Sequence, residues 1–264
     1  MDRICPTLFA APRFRSLPAI ATAGLVVLCM LPVRAVPADH VPLLAAATTE
    51  LFHDTFERET LGEVWQASVR SFAIKDGAMV GGMRDDATHP AITKVSKPFR
   101  DLVLQFSFRL DGAKSFNIVF NDINEKSVHS GHVARMTVSP QGLTLTDDKL
   151  GLMSLEWVTK KNDPQFKKQV DQVRAATSRN FPYDWQPHRW YVLVMEVAGD
   201  EVLVSIDGKP TGYFHCAGFG HPTKTSFHFS ISGRDLTVDN LTAWNANPNP
   251  DWARRRDAVL AGLR

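Results

Sequence analysis

Leu102-Val103-Leu104-Gln105-Phe106-Ser107-Phe108-Arg109-Leu110 places Leu102, Leu104, Phe106, Phe108 and Leu110 on one side of an extended chain and Gln105, Ser107 and Arg109 on the other. Successive strand side chains point to opposite faces, so this period of two marks a half-buried β-strand. Asp111-Gly112 ends it. Phe116, Ile118 and Phe120 repeat the alternation, with Asn117 and Asn121 on the polar side. Val133 to Val138 and Leu143 to Thr146 continue it across Ser139-Pro140-Gln141-Gly142, a turn signal. Further strands are read at Phe72–Val80 (reversing at Asp76-Gly77), Ile92–Val95, Trp190–Val197, Val202–Ile206, Pro210–Phe214, Ser226–Ile231 and Leu236–Trp244. About a dozen short strands separated by turn residues describe an all-β, antiparallel sandwich.

One stretch interrupts the pattern. From Leu150 to Pro187 the strand signal stops, and Asp163-Pro164 reads as a helix cap with proline at the first helical position. Phe166, Val170 and Val173 share a helical face, so Asp163–Ser178 is expected as an inserted amphipathic α-helix. Lys160, Lys161, Lys167 and Lys168 are expected on a solvated face, with a rim over the polar strands as the alternative.

The N-terminus carries Arg3, Arg13 and Arg15 ahead of an apolar run from Ile20 to Leu31, then Val33-Arg34-Ala35. This is the pattern of a signal peptide cut after Ala35, too short in its apolar part for a comfortable membrane span, with an uncleaved N-terminal anchor as the alternative. Residues 36–49 follow as a small-residue linker, residues 50–245 form the sandwich with its insertion at about 150–187, and residues 246–264 are a tail with a short helix. Removing residues 1–35 takes away four Arg and one Asp, so the formal net charge of +2 becomes about −1. No polybasic field is then left to hold nucleic acid, and the expected product is periplasmic or extracellular, free of the membrane. Cys216 is the one thiol remaining, which excludes an internal disulfide and a thiolate zinc site.

The densest polar region runs from Phe116 to Lys149, with Asn121, Asp122, Asn124, His129, His132, Arg135, Asp147, Asp148 and Lys149. Gln105, Ser107, Arg109, Asn117, Asn121, Arg135 and Thr137 have the parity to line one polar sheet face. Amides, hydroxyls and guanidinium forks there suit the directed hydrogen bonds of a saccharide. An ordinary solvated face is the competing description. His129 and His132, three apart, meet only if Ser130-Gly131 is a turn. With Asp122 or Asp148 they could then hold a divalent metal, or one could act as a base. Lys149 joins this patch, and Trp157 and Trp185, flanking the insertion, are candidates for stacking on sugar rings. Asp54 and Asp239 lie on the first and last strands and could share a structural Ca²⁺, or could simply border turns.

Asp54-Thr55-Phe56 with Trp65, followed by Phe72-Ala73-Ile74-Lys75-Asp76-Gly77-Ala78-Met79, resembles the opening of the concanavalin A-like jelly rolls. It is most similar to the exported 3-keto-disaccharide hydrolase domains, a family-16-like group. Phe99 to Arg109, Val202 to Lys209 and Val238 to Trp244 resemble further strands of that family, so the likeness spans roughly residues 50–245. The resemblance implies a carbohydrate-active protein that removes the acidic proton beside a sugar ketone, expels the glycosidic oxygen and adds water. On this chain the roles fall to Asp122, His129, His132, Arg135 and Asp148. Two departures stand out: Lys114-Ser115-Phe116-Asn117 replaces the family's Asn-Ser-Gly, and the Glu-x-Asp-x-x-Glu strand of retaining glucanases is absent. No two acids are spaced to act as nucleophile and acid on one strand face. A noncatalytic glycan-binding module and an adhesive or structural domain are the alternatives.

Overall fold

The strand read at Leu102–Leu110 sits in the middle of a sheet, with its apolar side pressed onto a second sheet. The structure is a computed structural model that describes residues 41–67 and 71–263. The expected export signal and its expected cleavage point after Ala35 lie outside the described residues. In chain order the strands are β1 (Ala45–Asp54), β2 (Gln66–Ala67), β3 (Phe72–Lys75), β4 (Ala78–Gly81) and β5 (Ala91–Val95). Then come β6 (Leu102–Leu110), β7 (Ala113–Asn121), β8 (His132–Ser139), β9 (Gly142–Asp147) and β10 (Ser178–Phe181). The last five are β11 (Trp190–Ala198), β12 (Glu201–Ile206), β13 (Lys209–His215), β14 (Ser226–Gly233) and β15 (Leu236–Pro248).

They build an antiparallel jelly-roll β-sandwich. One sheet runs β13-β12-β11-β6-β15-β4-β3, with β1 also on β15. The other runs β10-β9-β8-β7-β14-β5-β2. Leu102, Leu104, Phe106 and Phe108 from the first sheet meet Phe116, Ile118, Phe120, Phe227 and Phe229 from the second, all essentially inaccessible. Edge-on ring contacts stitch the layers, Phe108 to Phe116 at 5.1 Å and Phe106 to Phe229 at 5.4 Å. Each buried phenylalanine contributes roughly 1.5–3 kcal/mol by leaving water.

Consecutive strands need not be partners. β6 pairs with β11 and β15, whereas β7 pairs with β8 and β14. Asp111-Gly112 therefore carries the chain from one sheet to the other, and the polar sides of β6 and β7 end on opposite outer surfaces. The expected single face of Gln105, Ser107, Arg109, Asn117, Asn121, Arg135 and Thr137 is thus divided. Parity says that a side chain points away from the core; it does not say which sheet carries it.

The expected boundaries at both ends also shift. Residues 45–49, expected as linker, belong to β1, and Ala45–Ala47 pair with Ala246–Pro248, so the strand extends into the expected tail. The helix of the tail, α3 below, is Trp252–Ala261. Its Trp252 packs with Leu44, Ala45, Val103, Val194 and Leu203 in a second apolar cluster on the outer side of the first sheet. Buried Glu196 holds the entry segment there, accepting the backbone N–H groups of Leu44 at 2.7 Å and Ala45 at 2.6 Å. These segments carry too few apolar residues to show a period, and their order comes from partners distant in sequence.

The insertion contains α1 (Leu155–Val158), a 3₁₀ turn at Pro164–Phe166 and α2 (Lys167–Thr177), ahead of α3 (Trp252–Ala261). Asp163 caps the turn, accepting the N–H of Gln165 at 3.0 Å, and Val170 is buried beneath α2. The strand-free stretch expected to Pro187 ends earlier, because Ser178–Phe181 pairs with β9 as an edge strand. Among the described residues no helix is long and apolar enough to cross a membrane.

Candidate functional site

Strand register sorts the outward side chains of the second sheet into rows crossing the strands. One row runs Ile92, Ser230, Asn117, Thr137, Thr144, Asn180. In it Thr137 Oγ1 donates to Asn117 Oδ1 at 2.6 Å and Thr144 Oγ1 to Asn180 Oδ1 at 3.0 Å. The next row runs Lys94, His228, Val119, Arg135, Thr146, Ser178. The third holds Ser226, Asn121 and His132. The insertion folds over one end, and a recess of about 420 Å³ opens between Arg135, Thr137, Thr144, Thr146, Ser178 and Asn180 of the sheet and Leu152, Arg174 and Thr177 of the insertion. That volume is within the usual range of small-molecule sites, about 300–1,000 Å³.

Arg135 joins this recess to an imidazole cluster. Its Nε donates to Asp148 Oδ1 at 3.0 Å and its Nη2 to the same oxygen. His132 lies 5.4 Å, ring centre to ring centre, from His228 and 6.4 Å from His129. Ser130 (φ 55°) and Gly131 (φ 71°) are both left-handed, the tight turn that lets two histidines three residues apart meet. His129 remains exposed at the rim. Asn121 Nδ2 donates to His228 Nδ1 at 3.2 Å. Three buried polar atoms here have no hydrogen-bond partner among the described residues: His132 Nδ1, Asn121 Oδ1 and Asp148 Oδ2. Buried polar groups are nearly always paired, so such a cluster is a place to look for a bound molecule.

Burial sets the ionisation of the group. Burial first, then the charges of His228, Arg135, His129 and Lys161, push His132 down to about 3. Burial, with Lys94 and Arg135, pushes His228 down to about 4. Both rings are neutral at physiological pH. Burial pushes Asp148 up to about 6, although the neighbouring Arg135 pulls it the other way. Lys161, expected on a solvated face, is half-buried beside Arg135 and Asp148.

The unfolded chain takes up protons on His132 and His228 as pH falls below about 6.5, while the native rings stay neutral. Stability is therefore full above that pH and lost on acidification towards the native values. Asp148, raised instead of lowered, acts in the opposite sense between its ordinary value and about 6 and offsets part of the loss. His228→Asn is expected to flatten the fall in unfolding free energy by about 1.4 kcal/mol per pH unit between roughly pH 6 and 5. Urea unfolding at several pH values measures this, and an unchanged slope would show that His228 is not held neutral.

Asp122 and Lys149 belong to a separate network. Asp122 Oδ1 accepts from the N–H of Asn124 at 2.9 Å, and Oδ2 meets Thr223 Oγ1 and, at 3.2 Å, His221 Nε2. Burial alone would raise this carboxyl, but these hydrogen bonds outweigh it and hold it low. Lys149 Nζ lies 3.0 Å from His221 Nδ1 and 3.1 Å from Glu125 Oε2. An ammonium can only donate, so Nδ1 accepts and the Nε2 proton faces Asp122. Asp122 and Lys149 thus fix loops at the strand ends and do not join His132. His221 carried no periodic signal in the sequence, being in a loop; His228 was legible as an outward position of β14 but lacked a visible partner.

The remaining candidates are dispersed. Gln105 and Arg109 lie on the outer side of the first sheet, where Arg109 donates to Asp111 Oδ2 at 2.7 Å and stacks 5.0 Å from the Trp190 ring. Trp185 packs against the core beside Phe108, Tyr183 and Tyr191 and donates to the Ser139 carbonyl at 3.0 Å. It lines a different recess, of about 500 Å³, by the β6–β7 crossing. Trp157 is on α1 with Lys160 Nζ 5.0 Å from its ring. Asp54 and Asp239 do lie on adjacent strands. The oxygens of Asp54 are occupied by Arg58, Trp65 Nε1 at 2.7 Å and the Phe56 N–H at 2.7 Å, a donor set with its own cation that does not fit Ca²⁺. Among the described residues no three His, Cys, Asp or Glu side chains are grouped to hold a metal.

No protein-family model matches the chain, and no curated protein matches its sequence. Solved structures share its architecture. The laminarinase from Rhodothermus marinus has a TM-score of 0.55 at 10% identity, covering 77% of this chain and 99% of that one. SCLam, a non-specific endo-β-1,3(4)-glucanase from family GH16, has a TM-score of 0.51 at 7% identity, covering 77% and 95%. A sialidase has a TM-score of 0.50 at 13% identity, but the aligned part covers 76% of this chain and 18% of the sialidase. At such identities the likeness is one of fold, the jelly-roll sandwich that the GH16 glucanases also have.

Proposed function

We propose that this chain is an exported carbohydrate-active protein that takes a saccharide on the outer face of its second sheet and cleaves it beside His132 and Arg135. The observation carrying this is the cluster itself: a recess with hydroxyl and amide rows, running into a guanidinium, two neutral imidazoles and three buried polar atoms without hydrogen-bond partners among the described residues. The three rows contain no carboxylate, so the two-acid displacement of retaining glycosidases has no residues to run on. The chemistry that fits is elimination, which the resemblance to 3-keto-disaccharide hydrolase domains also implies. His132 takes the proton at C2 beside a C3 ketone. The C1–O bond breaks with its electrons passing to the leaving oxygen, which is then protonated. Water adds at C1 of the resulting enone and returns a proton to C2. Arg135, oriented by Asp148, faces the enolate oxygen as charge develops there.

A noncatalytic glycan-binding role is the second reading. It is favoured by the depressed value of His132, which makes that ring a weak base at neutral pH, and by the full burial of Asp148. Incubation with 3-keto and unmodified disaccharides, with and without chelator, separates the two. Catalysis is expected on the keto substrate alone and unaffected by chelator. Saccharide binding without turnover would leave the binding role, and neither would end the carbohydrate reading.

A further inference from the structure

The row that runs into the recess carries charge of one sign. Lys94 and Arg135 stand in the same row, three strand spacings or about 14 Å apart, with His228 between them. Lys161 reaches in from the insertion, its Nζ 3.5 Å from Met153 Sδ. Lys94 and Lys161 are both half-buried, and neither forms an ion pair among the described residues. Asp148, the carboxylate that acts on Lys161, is wholly buried and already bound to Arg135. Two half-buried ammonium groups with no ion pair among the described residues, one at the far end of the Arg135 row and one on the insertion, form with Arg135 a cationic face that a neutral glucan would not complement. An acidic sugar chain crossing the strands would present negative groups to Lys94 and to Arg135 along the row.

We propose that the ligand of this face is an anionic saccharide, whose carboxylate or sulfate groups pair with Lys94, Arg135 and Lys161. This deepens the function proposed above and rests on it. Lys94 and Lys161 play no part in the bond-breaking step and serve to bind the charged ligand, whereas Arg135 also belongs to the reacting centre. The depressed ionisation of His132 and His228 agrees, since the outside charges acting on them are predominantly cationic.

Calorimetric titration of the full chain with oligogalacturonate, a sulfated galactan oligosaccharide, and neutral laminari- and galacto-oligosaccharides tests it. An acidic oligosaccharide is expected to bind at least about tenfold tighter than its neutral counterpart. That preference should shrink in about 0.5 M salt, where exposed charges are screened. Lys94→Gln and Lys161→Gln are each expected to weaken acidic binding by about 5–10-fold and leave neutral binding unchanged. Lys168→Gln, on the exposed side of α2, should change neither. The stronger of the uronate and sulfate arms identifies the anion. Equal or tighter binding of neutral sugars would overturn the proposal while leaving the saccharide site standing. Binding of no sugar at all would remove both.

Discussion

Gly131→Ala is expected to lower the stability of the fold by roughly 3–5 kcal/mol, the size of effect reserved for steric or buried-polar defects. A methyl group on residue 131 would stand 2.3 Å from the carbonyl oxygen of Asp122 and 2.9 Å from its carbon. Those are backbone atoms, and the Asp122 N–H is itself bound to the Gly131 carbonyl at 2.9 Å, so neither strand can yield without breaking the pairing. The φ of 71° adds its own strain for a residue with a Cβ. Gly199→Ala separates the two contributions. Its φ of 57° is similar, but nothing lies within 4 Å of the added carbon, so it should cost only about 1–2 kcal/mol. Urea midpoints for both variants give the comparison. Equal losses would mean that the clash at Gly131 is relieved by movement and that the turn is not rigid.

The second large effect concerns chemistry. His132→Ala is expected to lower the turnover of a 3-keto glycoside by about 10²–10⁴-fold, the usual contribution of a positioned base. Binding of the sugar should change far less, because the hydroxyl and amide rows remain. Asp148→Asn keeps the shape but removes the charge that holds Arg135. It is expected to reduce turnover by about 10–10²-fold through misplacement of the guanidinium. Both variants are first checked for a native urea midpoint. Turnover by folded His132→Ala equal to the parent would remove the imidazole from the mechanism.

The two experiments bear on one turn. Ser130-Gly131 could be recognised in the sequence as the only way for His129 and His132 to meet, and the backbone there does reverse through two left-handed residues. Arg135 and Asp148, thirteen apart, are also brought together, across the β8–β9 hairpin. Asp122 is not, since it follows Asn121 and so points the other way, towards His221. His228 and Lys94 complete the face from strands remote from β8 along the chain, and no local pattern shows that they share its surface.

The period of two, the turn residues and the break at Leu150 were enough to specify an antiparallel sandwich with a helical insertion, because they record which side of each segment leaves water. They could not specify which outer surface a strand would present, since alternation is blind to pairing partners. Tertiary structure decided that Gln105 and Arg109 go to one sheet and Asn117, Asn121 and Arg135 to the other. It decided, too, that residues 45–49 become a strand edge and that Lys161 turns inward. Each of those outcomes depends on hydrogen bonds and packing between distant segments, whose free energy exists only once the two sheets have met.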